Sequence, residues 1–139
     1  MSIHPRFAES ILRGEKLVEF RRRPLARPTT HIVIYATDPT RAVVGVAEVG
    51  RVESGTPSML WKTFASVAGI ARYDFFAYFR GTDEGFAYVL SRVRACPAPL
   101  ILGRGGLPTR APQAFQYLDT RTLDAVIHNC APSVTDRAG

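Results

Sequence analysis

HIVIYAT (31–37) and AVVGVAEV (42–49) are two almost unbroken apolar runs, separated by the turn-forming triplet DPT (38–40). Runs of this length suit β-strands covered on both faces, because a strand with one wet face alternates apolar and polar residues. The chain must therefore cover a central sheet on both sides, either by closing it into a small barrel or by flanking it with helices. With 139 residues and 46% apolar content it has material for one domain whose core needs neither disulfide nor metal.

Helices are available on either side of these strands. In PRFAESILRG (5–14), Pro5 suits a first helical turn, Gly14 suits the cap, and Phe7, Ala8, Ile11 and Leu12 form an apolar stripe. Thr56-Pro57 starts a second helix with Leu60, Phe64 and Val67 inward and Trp61 beside them, ending at Gly69. A third, over 71–80, carries Phe75, Phe76 and Phe79 and stops at Gly81. GFAYVLSRVRA (85–95) reads as a strand, 96–108 as a loop, APQAFQYLD (111–119) as a last short strand and TRTLDAVIHN (120–129) as a helix capped by Thr120. Irregularly mixed helices and strands imply an α+β class with a central barrel-like sheet. The expected organisation is one domain over 2–119, then a helix and frayed tail over 120–139.

Charge is concentrated in GEKLVEFRRRP (14–24). Residues 1–30 hold seven basic residues against three acids, and net charge over the whole chain is +6. Such a balance favours a polyanionic partner. Among the 18 basic residues only Lys16 and Lys62 are lysines, and arginine offers phosphate a planar fork that lysine lacks. In LVEFR (17–21) the pleat places Glu19 and Arg21 on one face, where an ion pair can hold the arginine, with Lys16 at the rim. Two readings fit this pattern: a charged edge strand that discourages aggregation, or a site that needs donors and an acceptor together.

Other features carry less chemistry. Cys96 and Cys130 lie 34 residues apart, outside any C-x-x-C pair, and read as idle thiols. With His4, His31 and His128 they offer no metal-ligand spacing, so no metal is expected. GRGG (103–106) lacks the lysine–serine ending of a phosphate loop, and no cofactor is expected. No apolar run approaches the roughly 18 residues of a membrane span, and the chain reads as soluble and cytoplasmic. Gln113, Phe115 and Tyr117 would share one face of the last strand, where aromatics beside arginines can stack bases.

The opening MSIHPRFAESILRGEKLVEFRRRP resembles that of an ASCH domain, a branch of the PUA-like superfamily. The family signature G-x-K-x-x-E-x-R is filled by Gly14, Lys16, Glu19 and Arg21. Weaker likeness runs through VIYAT, VVGVAEV, YFRG and PQAFQYL, the last resembling a bacterial branch labelled as predicted transcriptional regulators with an ASCH or PUA domain. The resemblance implies a PUA-like β-barrel flanked by helices, with a cleft beside the signature strand. It also implies RNA or another nucleic acid, or a modified nucleoside, as partner. A few members are enzymes. One branch removes the acetyl group of N4-acetylcytidine with a lysine, a threonine and a glutamate, and another reported activity is cleavage of RNA.

Carried onto this chain, the lysine of the amidohydrolase branch is Lys16, and the threonine is replaced by Glu19. Its glutamate would fall around 66–71, where no carboxylate stands; Asp74 is the nearest acid. The combined expectation is a nucleic-acid-binding module with a cleft at Gly14, Lys16, Glu19 and Arg21. Arg22, Arg23 and Arg27 form its phosphate rim. The alternative is a small hydrolase, amidohydrolase or ribonuclease, with Lys16 and Glu19 as its catalytic pair.

Overall fold

A computed structural model describes residues 1–130. A two-residue strand β1 (Ser2–Ile3) leads into helix α1 (Pro5–Leu12), which begins on Pro5 and presents buried Ala8 and Ile11 inward. His4 caps it, its Nδ1 accepting from the Arg6 amide, and Gly14 ends it at φ +78°, a left-handed turn that glycine takes without steric cost. Strand β2 (Val18–Arg21) follows, then β3 (His31–Ala36) and β4 (Ala42–Gly55). After β4 come α2 (Pro57–Phe64), a short 3-10 turn (Ala65–Val67), α3 (Arg72–Tyr78), β5 (Gly85–Leu100) and α4 (Thr120–His128).

The α+β class holds, but the sheet is open: its order is β1-β3-β4-β5-β2. β1 runs parallel to β3 and every other pairing is antiparallel. Closing the expected barrel would require β1 to pair with β2. The outer edge of β1 is already occupied, because the Ser2 amide donates to the Ala114 carbonyl at 2.9 Å and Ser2 Oγ to the Pro112 carbonyl at 2.6 Å. Among the described residues a side chain spans the gap: Arg21 Nη2 donates to the Ser2 carbonyl at 3.2 Å. Both long strands shift register along their shared ladder, at Val43/Gly45, Val46/Glu48 and Val49/Arg51, and such irregularities bend a sheet without closing it.

Three apolar clusters form the core. α1 lies on β3 and β5, its Ala8 and Ile11 packing with Ile32, Ile34, Tyr88 and Leu90. Val18 and Phe20 of β2 meet Leu60, Phe64, Phe75 and Phe79 from α2 and its neighbours. There the Phe20 and Phe75 rings sit edge to face, centroids 4.8 Å apart. The third cluster joins Tyr35, Val43 and Val46 to Leu107, Val126, Cys96 and Cys130. The cysteines, read from the sequence as idle thiols, are bonded to each other in this cluster. A separation of 34 carries no pairing signal, since only the packing of α4 on β3 and β4 brings the end of β5 to the end of α4.

Three element boundaries also differ from expectation. β5 continues past Ala95 to Leu100 despite Pro97 and Pro99. β2 pairs only with residues 86–89 of β5, so beyond them one edge of β5 needs no ladder donors and proline is tolerated. Residues 111–119 form no strand. The cap of α4 is Asp119, whose Oδ1 accepts from the Thr122 amide at 2.7 Å, and Thr120 is the first helical residue. The expected tail after Cys130 lies outside the described residues. Among those described, no helix is long and apolar enough to cross a membrane.

Candidate functional site

The turn after α1 folds back on itself, with the Glu15 and Lys16 amides both donating to the Ser10 carbonyl. This directs the Lys16 side chain inward beneath α1. Expected at a rim, Lys16 is instead 3% exposed, with Nζ donating to the Ala68 carbonyl at 2.6 Å. Its ammonium lies 5.3 Å from the ring centroids of both Phe7 and Phe20. Gly69, at φ +62°, packs against its methylenes so closely that an added Cβ would stand 2.5 Å from Lys16 Cβ. Burial lowers the Lys16 pKa from its ordinary 10.5, Glu19 opposes that shift and Arg21 adds to it. Desolvation outweighs the Glu19 charge because Phe7, Phe20, Ala68 and Gly69 close around the lysine side chain.

Glu19 and Arg21 do lie side by side, as the pleat of β2 requires, with Arg21 Nη2 3.8 Å from Glu19 Oε1. That is an ion-pair distance and too long for a hydrogen bond. Glu19 Oε2 and Arg21 Nε are buried and, among the described residues, find no hydrogen-bond partner. Close by, the Met1 amino group donates to the Val33 carbonyl at 2.8 Å. Burial and then Arg21 bring its pKa from 8.0 to about 5, partly opposed by Glu19.

The arginines that follow β2 are exposed and diverge. The Arg22 guanidinium lies over the Tyr78 ring of α3 at 5.0 Å, and that of Arg27 lies over Tyr117 at 4.3 Å. The Arg27 amide also donates to the Tyr117 hydroxyl at 2.9 Å. Arg23 is exposed between them. Phe115 and Tyr117 meet edge to face, 5.7 Å between centroids, and help to line a cavity of about 260 Å³ between β3 and residues 102–123. Gln113 was expected beside them on a strand face. Because this segment has no strand period, Gln116 lines the cavity in its place.

Lys16, Glu19 and Arg21 do not line that cavity; Met1, which contacts it, is the link to their cluster. Tyr35, His31 and Thr120 also line it and were not legible as site residues, since each faces partners about 80 residues distant in sequence. Among the described residues, no group of three or more His, Cys, Asp or Glu is placed to hold a metal ion.

Residues 1–92 match the family described as the ASCH domain. A protein of Zymomonas mobilis named as an ASCH domain-containing ribonuclease is 37% identical over 91 residues, which is 65% of this chain and 62% of that protein. The large ribosomal subunit protein uL22 of Ureaplasma parvum is 30% identical over 104 residues, 75% of this chain and 33% of that protein. The chain thus spans less than two-thirds of the length of these curated relatives. The crystal structure of ASCH from Zymomonas mobilis superposes with a TM-score of 0.80 at 29% identity, covering 94% of each chain. A serine-to-alanine variant of that protein gives 0.82. With its first 92 residues matched and its fold shared with these structures, the chain belongs to the ASCH domain family.

Proposed function

We propose that this protein binds RNA, using the Glu19–Arg21 pair for recognition and Arg22, Arg23 and Arg27 for the phosphate backbone. The observation that carries this reading is the buried pair left incomplete, with Glu19 Oε2 and Arg21 Nε unpartnered among the described residues. Buried polar atoms are nearly always paired, so a free acceptor beside a free donor fits a ligand edge that offers both complements. Membership of a family with a relative named as a ribonuclease supports RNA as the class of ligand.

That relative's name also favours a second reading, cleavage of RNA. The amidohydrolase reading has less support. Where that branch would supply a glutamate, Lys16 Nζ meets the backbone carbonyl of Ala68, which cannot take up a proton as a general base must.

The test compares fluorescence anisotropy of labelled single-stranded RNA and DNA, free nucleosides including N4-acetylcytidine as competitors, and Glu19→Gln. Losing the charge on a hydrogen-bonding acceptor is worth about 1.5–3 kcal/mol, so Glu19→Gln is expected to weaken RNA binding by roughly ten- to a hundredfold. RNA binding unchanged in Glu19→Gln would remove the pair from the site. Shortening of the RNA during incubation would establish the second reading.

A further inference from the structure

The cavity between β3 and residues 102–123 combines three properties that together select its occupant. Among the described residues, no lysine, arginine or carboxylate side chain lines it. With His31 and the Met1 terminus as its titratable lining groups, a phosphate would meet no permanently charged side-chain cation there, a costly transfer. Its wall mixes apolar and aromatic side chains, including Tyr35, Phe115 and Tyr117, with neutral polar groups such as Thr30 and Gln116. At about 260 Å³ it falls just below the ~300 Å³ at which sites for drug-sized ligands begin, so it suits one flat heterocycle.

The mouth has the opposite character. Arg27 is exposed, stacks on Tyr117 and immediately precedes the lining residues Pro28 and Thr29. A neutral flat-sided cavity with a cation at its lip matches a nucleotide, whose base is neutral and whose phosphate is not.

We infer that this cavity receives one unstacked base of a single-stranded RNA, with Arg27 at its mouth holding the adjoining phosphate. The inference rests on the RNA-binding reading for the polymer, but it locates the base away from the Glu19–Arg21 pair and can fail separately. Phe115, 36% exposed, flanks the entrance, and a base passing it gains stacking area that single-stranded binders use without sequence preference.

The experiment has two arms. In the first, wild-type protein is irradiated with a single-stranded RNA carrying 5-bromouridine, and affinity for the unmodified RNA is measured in Thr120→Trp and Tyr117→Ala. Thr120 is exposed at the start of α4 and lines the cavity, so a tryptophan there obstructs it. Cross-linking within 111–123 is expected, with affinity weakened roughly five- to a hundredfold in both variants. Cross-links elsewhere, with both variants binding normally, would overturn the cavity assignment and leave the RNA reading standing. In the second arm free uridine and cytidine are titrated while the amide resonances of Tyr35 and Leu118 are followed. Nucleosides that shift those resonances when RNA does not bind would support the cavity and remove the polymer reading. If neither RNA nor nucleoside perturbs the protein, both proposals fall.

Discussion

Lys16 shows how far a side chain's role depends on its cover. It is buried between two phenylalanine rings and a glycine, and its Nζ meets only one backbone carbonyl among the described residues. A buried cation with so few partners is costly, and an apolar residue of similar shape is often neutral or stabilising in such a place. Lys16→Met is therefore expected to fold with unchanged or higher thermal stability, whereas Lys16→Arg, too large for the site, is expected to lose about 1–3 kcal/mol. The pH dependence has a definite sign. The folded-state pKa is lowered, so below 10.5 and above that folded value the unfolded chain binds more protons. Wild-type stability relative to Lys16→Met should then rise with pH up to about 10.5, read as the difference between two denaturation series; a falling difference would contradict the burial. Gly69→Ala tests the same contact from the other side. Left-handed strain plus the clash with Lys16 should cost about 2–3 kcal/mol in denaturant unfolding. The alternation of LVEFR sufficed to place Glu19 with Arg21, but not to show that both faces of β2 are covered, because cover comes from α2 and α3 on one face and from Met1 and Ser2 on the other.

Helices were more legible than strands because their ends are written locally. Thr56 accepts from the Met59 amide at 3.2 Å, and Pro57 opens α2 as its fixed φ allows. Thr56→Ala should cost about 1 kcal/mol, measured by urea unfolding, with the fold retained. At α4 the hydrogen bond from Thr122 lowers the Asp119 pKa below its ordinary 3.8. That cap contributes fully above pH 3.8 and is lost as pH falls through the lower folded value, so α4 should loosen only in strong acid. An acid titration of amide resonances in 120–128 would show it, and loosening well above pH 3.8 would count against the cap. The segment 111–119 misleads because alternating residues make a strand only where a ladder partner exists. Here Ser2 gives the segment two hydrogen bonds, to the Pro112 and Ala114 carbonyls, and no ladder follows among the described residues.

At the scale of the molecule, basic charge is exposed where the RNA reading needs it. Arg22 and Arg23 leave β2 into solvent, and Arg27 reaches the cavity mouth. Replacing Arg22 and Arg23 with glutamine should weaken RNA binding about equally across sequences and flatten the slope of log affinity against log salt by roughly 1–2 units. Affinity indifferent to salt would contradict a phosphate-tracking rim.

Sequence alone determined what depends on neighbouring residues: the apolar strands of the centre, the helix starts at Pro5 and Pro57, the glycine stop at Gly14, and the shared face of Glu19 and Arg21. Each follows from backbone geometry within a few residues. Tertiary structure decided whatever joins distant segments. The Pro112–Ala114 backbone takes the outer edge of β1 and leaves the sheet open. Gly69 and Ala68 close over Lys16 and turn a rim residue into a buried one. β3 and residues 102–123 enclose a cavity between chain segments some 80 residues apart, and pair spacing along a sequence holds no record of such an approach.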